Sequence, residues 1–375
     1  MFVIHLDTAS TWRGGQNQAL LTAQGIERRG HRVRLAAMAG GELIRRAQGT
    51  VETLPLAFRG ELDLAAGWQL ARLIREERPE VVHAHDPHAV AVAALAGRLA
   101  GSGARPVLVA SRRVDFHVRG NAFSRLKYRE VDLFVAASDA IRRMLIDDGI
   151  PEAGVVTVHE GIDVARVQAV EPASVHSAFN LLPGKVVGCI GALVPHKGHR
   201  YLIEAAPRVL QHAPDARFIV LGEGELRPAL ERRIAELGLR EHVVLPGFRN
   251  DVLALLKSFD VFVMSSVTEG LGTSLLDAMA ARRAIVATHA GGIPEVVEDG
   301  LTGLLVPPAD SAALAASILK LLSDEDLRSR LAREGERRVR ERFNVDRMVD
   351  ATLEAYSLAA RRKGRAGSPA QGSGN

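Results

Sequence analysis

The sequence holds one cysteine, Cys189, in 375 residues. An internal disulfide is excluded, and a reducing compartment is expected. Aromatic residues make up only 4%. That is too few for the stacking platforms that bind single-stranded nucleic acid, so no nucleic-acid partner is expected. Long apolar runs are also missing. The best candidate, from Ala89 to Ala100, is broken by Gly97 and Arg98, well short of the ~18 residues a spanning helix needs. The first residues, MFVIHL, read directly as a strand. They lack the basic flank and apolar segment of a secretory signal, so a cytoplasmic location is expected. A large excess of one charge is absent too. The net charge is +4 and the pI about 9.5, which permits anionic partners without naming one.

What is present is a rhythm. FVIHL (2–6), RVRLAAM (32–38), EVVHA (80–84), PVLVAS (106–111) and DLFVAAS (132–138) are short apolar runs separated by helix-like segments. A second series follows: VVGCIG (186–191), ARFIVLG (216–222), HVVLPG (242–247), DVFVMSS (260–266) and AIVATH (284–289). Alternating strands and helices predict parallel sheets with right-handed crossovers. Continuously apolar strands predict burial on both faces. The rhythm loosens over 160–183, where the join between domains is expected. The expected fold is α/β, with two facing Rossmann-like, doubly wound parallel-sheet domains and a cleft between them. The expected divisions are 1–168 and 169–343. A helix over 344–362 is expected to pack back toward the first domain. Residues 363–375 are basic, then rich in Gly, Ser, Pro and Gln, and are expected to be a disordered tail.

Residues 268–280, TEGLGTSLLDAMA, carry the clearest chemistry. They follow the strand DVFVMSS, and a helix is predicted from Thr273 or Ser274, with Leu275, Leu276 and Met279 on its buried side. Free amides at a helix start favour a phosphate. Gly270 and Gly272 let a ligand approach the backbone. Glu269 and Asp277 bracket this start and can accept hydrogen bonds from two sets of hydroxyls. A diphosphate with hydroxyl-rich groups at both ends describes a nucleotide sugar.

EGLGTSLLDAMA and then AIVATHAGGIPEVVEDGLTGLLVPPAD (284–310) resemble the donor-binding core of retaining GT-B glycosyltransferases, the family 4-like, group 1 enzymes. RRGHRV (28–33), VHEGID (158–163), GALVPHKGH (191–199), LGEGELR (221–227) and LPGFRNDV (245–252) match in order and spacing, so the resemblance covers about residues 1–358. It implies that Glu269 meets hydroxyls of the transferred sugar and Asp277 those of the ribose. Amides of Leu271–Ser274 would hold the diphosphate, and Lys197 would neutralise the departing phosphate. Glu269 and Lys197 are the expected catalytic pair. Gly247, Phe248 and Arg249 would border the nucleobase, and Gly15 would belong to the loop facing the donor. The resemblance also implies retention at the anomeric carbon and no required divalent metal.

Two departures stand out. The family's second acid is Glu, where this sequence has the shorter Asp277. The family's arginine after the strand-end glycine is here Ala192, so a phosphate cation is missing; Arg13 and Arg112 are candidates by position. In WRGGQNQ, Arg13 and Gly14 precede a helix and are expected on the acceptor or sugar side. His85 and Asp86 in HAHDPH are expected to line the acceptor cleft; a metal there is disfavoured because no matching cluster is evident elsewhere. Arg112 stands near the place of a family histidine beside the reacting sugar.

The expected function is transfer of a sugar from a nucleoside-diphosphate donor to a glycan or lipid-linked hydroxyl, in lipopolysaccharide, polysaccharide or glycolipid synthesis. Residues 112–143 hold eight basic residues against four acids. That bias suggests peripheral contact with an anionic membrane. One alternative is a non-catalytic nucleotide-sugar-binding protein. Another is a nicotinamide oxidoreductase, disfavoured because WRGGQNQ replaces G-x-G-x-x-G after the first strand.

Overall fold

The computed structural model describes all residues except 59, 61, 62, 115, 118–125 and 368–375. The chain divides into two compact units, Met1–Glu160 with Val345–Asn375, and Gly161–Asn344.

The first unit is built on seven strands: β1 (Phe2–Asp7), β2 (Arg32–Met38), β3 (Glu52–Leu56), β4 (Val81–Ala84), β5 (Val107–Arg112), β6 (Leu133–Ala136) and β7 (Val155–Thr157). They pair in the order β3-β2-β1-β4-β5-β6-β7, all parallel. Alternate side chains of β1 enter opposite layers. Ile4 and Leu6 pack with Leu70, Ile74 and Val90, while Val3 packs with Leu20, Ile26 and Val349. Helices therefore cover both faces, and all six residues of β1 are buried.

The second unit repeats the plan with β8 (Val186–Ile190), β9 (Arg217–Leu221), β10 (Val243–Gly247), β11 (Val261–Met264), β12 (Ala284–Thr288) and β13 (Leu304–Val306). Their order is β10-β9-β8-β11-β12-β13, again parallel. Phe262 packs with Leu275, Leu276 and Met279 on one face. Val263 packs with Leu202, Ile203 and Leu314 on the other. Both sheets are doubly wound, as the strand rhythm predicts. Caps mark several helix starts; the Asp310 carboxylate accepts the amides of Ala312 and Ala313, a contact worth ~1 kcal/mol.

Two boundaries differ from the sequence expectation. Residues 161–168 belong to the second unit. The Ile162 amide donates to the Phe343 carbonyl at 2.8 Å, and Val164 and Val167 share an apolar cluster with Leu275 and Leu276. The last helix runs Val345–Gly367, so residues 363–367 are helical rather than tail. Lys363 is tied down by Asp132 Oδ2 at 2.9 Å and the Pro106 carbonyl at 2.6 Å. The rest of the expected tail, 368–375, lies outside the described residues. No described helix is long and apolar enough to cross a membrane.

Candidate functional site

In the second unit, three strand ends meet. β8 runs into Ala192 and a short turn, Pro195–Lys197, before the helix His199–Leu210. β11 runs into Ser265–Gly272 and the helix Thr273–Ala280. β12 runs into the turn at Gly291 and Gly292. Each crossing is tight. A Cβ on Gly198, whose φ is +63°, would lie 2.1 Å from the Ser265 carbonyl oxygen, so that residue must be glycine. Likewise a Cβ on Gly291 would lie 1.9 Å from the Glu269 carbonyl oxygen.

This knitting brings Lys197 to Glu269. The Lys197 Nζ donates to Glu269 Oε2 at 2.5 Å, with the two side chains 22% and 11% exposed. Ser266 Oγ donates to the same oxygen at 3.0 Å. The Val267 amide donates to the His196 carbonyl at 2.7 Å, and Ser265 Oγ to the Lys197 carbonyl at 3.2 Å. Ser274 Oγ donates to the Ile190 carbonyl at 3.2 Å, which fixes the helix start beside β8. Gly270, Leu271 and Gly272 are buried, and Thr273 opens the helix. The first amides of any helix lack intrahelical acceptors, so this start offers donors to an anion.

Asp277 lies one turn into that helix. The residue is partly open, but its carboxyl is deeply surrounded by protein. Burial pushes it up to about 7, while the Arg166 guanidinium pulls in the opposite direction. At neutral pH the group is therefore shared between its two protonation states.

Gly247 closes β10. Phe248 follows with its side chain 56% exposed, and Arg249 is bound to Asp251 through Nε at 2.8 Å and Nη2 at 2.6 Å. Ala192 supplies no charge. Its carbonyl accepts from His199 Nε2 at 3.0 Å. Burial brings His199 down to about 4, so it is neutral at ordinary pH. Cys189, 3.5 Å from His199 Nδ1, is buried with its thiol pushed up to about 12, which leaves it inert.

In the first unit, Gly14 and Gly15 start the helix Gly14–Arg28, and Arg13 is exposed just before it. The Arg13 amide donates to Gln16 Oε1 at 3.2 Å, and Gln16 Nε2 donates to Asp7. The Asp7 carboxyl is raised to about 6, first by burial and then by neighbouring Asp86. Asp86 does not offer a free carboxylate. It accepts the Thr8 amide and hydroxyl at 2.7 and 2.8 Å, and the His88 and Ala89 amides at 2.9 Å each. It is the N-cap of Pro87–Ala100.

His85 is buried rather than lining a surface. Register explains where it sits. His5 on β1 pairs with His83 on β4, and His85 follows two residues later on the same side. The three offer one nitrogen each within 4.8 Å, a spacing a metal could use. Their hydrogen bonds instead form a chain. Arg113 Nη1 lies 3.0 Å from His85 Nδ1. A guanidinium only donates, so His85 carries its proton on Nε2 and gives it to His5 Nδ1 at 2.8 Å. His83 is engaged by Tyr356 at 2.6 Å and Ser111 at 2.8 Å. Burial, with the Arg113 charge, lowers all three imidazoles, His5 to about 3. Arg113 itself is paired with Glu160 at 3.0 Å, with the side chains 14% and 10% exposed.

Arg112 donates to the Phe116 carbonyl. Its neighbour Arg113, which the sequence pattern does not single out, is the one that enters the polar centre. The same pattern gives no sign of Ser266. The basic stretch 112–143 is also less open than its composition suggests. Lys127 is buried and donates to the Pro87 carbonyl at 3.2 Å. Arg142 pairs with Glu152 at 2.8 Å. Arg129 and Arg143 are exposed, while Arg119 and Arg125 lie outside the described residues.

Two family models match. Residues 12–166 fit "Glycosyltransferase Family 4" and residues 184–324 fit "Glycosyl transferases group 1". A lipopolysaccharide core biosynthesis glycosyltransferase, LpsE of Rhizobium meliloti, is 30% identical over 287 residues, covering 76% of this chain and 78% of the relative. The chain belongs to the GT-B glycosyltransferases. An alpha-D-kanosaminyltransferase of Streptomyces kanamyceticus is 33% identical over 162 residues, but that match spans only 42% of the relative. The crystal structure of Anabaena HepE with UDP-glucose superposes with a TM-score of 0.81 at 23% identity, over 95% of this chain and 99% of that one. The glycosyltransferase fold is thus shared along nearly the whole chain.

Proposed function

We propose that this glycosyltransferase moves a sugar from a nucleoside diphosphate to a hydroxyl on a glycan or lipid-linked acceptor of the cell envelope, with retention. The observation that carries the reading is the Lys197–Glu269 pair at the start of the helix Thr273–Ala280. Lys197 has three donors and one is spent on Glu269. Among the described residues the others have no acceptor, and they can meet a phosphate oxygen as the sugar–phosphate bond breaks and charge grows there. Glu269 accepts sugar hydroxyls, the helix-start amides take the diphosphate, and Asp277 takes ribose hydroxyls. The envelope acceptor is supported by the role of LpsE in lipopolysaccharide core biosynthesis. It is supported too by a diphosphoundecaprenol galactosyltransferase of Escherichia coli, 24% identical over 78% of this chain.

A thermal-shift panel of UDP, GDP, ADP and their sugars tests it. A ligand that binds only the folded form raises stability by RT ln(1 + [L]/Kd), about 2.7 kcal/mol at a hundredfold excess over Kd. One nucleoside diphosphate and its sugars should shift the transition. No shift from any member sinks the reading.

A further inference from the structure

We propose that Ser266 is a positioning residue for Glu269, holding its carboxylate in place when Lys197 turns to the leaving phosphate. The inference rests on the reading of Glu269 as the acid that meets the transferred sugar. Ser266 follows β11 and is fully buried. Its Oγ donates to Glu269 Oε2 at 3.0 Å, the oxygen that also takes Lys197 at 2.5 Å. No hydrogen bond from the described residues reaches Glu269 Oε1. One oxygen is therefore pinned by two donors, and the other is left for hydroxyls of a ligand. Ser266 is itself held, because Thr288 Oγ1 on β12 donates to its carbonyl at 2.5 Å. The chain Thr288, Ser266, Glu269 ties the acid to the rigid sheet.

The two donors on Oε2 differ in what they do during transfer. Lys197 is a mobile cation, and growing charge on a phosphate oxygen draws it away from Glu269. Ser266 is neutral, short and locked, so it does not follow. It keeps Oε2 satisfied at the moment when that nearly buried oxygen would otherwise lose its last protein donor. A hydrogen bond to a charged group is worth about 1.5–3 kcal/mol, enough to keep the acid from swinging.

The test uses the full chain, with the donor chosen as the sugar nucleotide that binds in the panel of UDP-glucose, UDP-galactose, UDP-N-acetylglucosamine and GDP-mannose. Slow donor hydrolysis, read as release of the nucleoside diphosphate, serves where no acceptor is in hand. Ser266→Ala should lower kcat by about 10- to 100-fold, with the Kd for the free nucleoside diphosphate within twofold of wild type. In a Glu269→Gln background the same change should cost less than twofold, because the residue it positions has lost its charge. A kcat equal to wild type overturns the proposal. So does an equal loss in both backgrounds, or a parallel loss of nucleoside-diphosphate affinity, which would mark a general structural defect. A wild-type protein that binds no nucleoside diphosphate at all overturns the underlying reading instead.

Discussion

Asp277→Asn should stabilise the protein and weaken its donor binding at once. Burial raises the Asp277 carboxyl from 3.8 to about 7. A tenfold change in proton affinity corresponds to ~1.4 kcal/mol, so a rise of this size amounts to ~4 kcal/mol. The residue's remaining exposure reduces that to about 2–4 kcal/mol. The folded protein holds this proton more tightly than the unfolded chain does. The contribution is fully favourable below about pH 4, is lost as pH rises toward 7, and is level above that. Asparagine has nearly the same shape and no charge to bury. Denaturant unfolding should therefore find D277N equal to wild type below about pH 4, increasingly ahead of it from there to pH 7, and more stable by about 2–4 kcal/mol at pH 8. In the wild type, affinity for the nucleoside diphosphate should rise as pH passes through 7, because the ionised carboxylate is the better acceptor for ribose hydroxyls. D277N should show weaker binding without that pH dependence. Equal stability of the two proteins at pH 8, or a difference that ignores pH, would refute the reasoning.

Two further substitutions test contacts elsewhere. Arg113→Met removes the ion pair with Glu160 and the donor to His85 Nδ1; loss of one partner of a buried pair costs about 3–5 kcal/mol. That corresponds to a transition lowered by roughly 6–20 °C, and adding Glu160→Gln should recover part of it; scanning calorimetry that finds no loss in R113M would contradict the buried chain. Phe248→Ala should leave stability within ~0.5 kcal/mol, since the ring is mostly open. It should weaken nucleoside-diphosphate binding by ~1–3 kcal/mol if the base stacks there; calorimetric titration with unchanged affinity would place the base elsewhere.

Much of the fold was legible because its strands are continuous apolar runs, a pattern that survives without any partner in view. β3, ETLPL, was not, because it is an edge strand with polar residues and a proline that only an edge tolerates. β7 and β13 are three residues each, too short to show a period. Within the site, TEGLGTS placed the turn and the helix start at Thr273, since the strand, turn and helix are local. The Asp86 cap is written in HDPH as an acid before a proline, although the same residues also suggest an acceptor-facing role. The histidine cluster was hidden because it depends on the register that sets β1 beside β4. Arg113 rather than Arg112 turns into that cluster, and a shift of one residue at a strand end is invisible to periodicity. Ser266 was hidden for another reason: its role is a single hydrogen bond made across a turn.

The most direct measurement is a comparison of turnover and binding in Glu269→Gln. The side chain keeps its shape and loses the charge that pairs with Lys197. Turnover should fall by more than ~100-fold, as for removal of a group that acts on developing charge, while the Kd for the free nucleoside diphosphate stays within about twofold. Equal losses in turnover and affinity would show that Glu269 holds the nucleotide rather than the sugar.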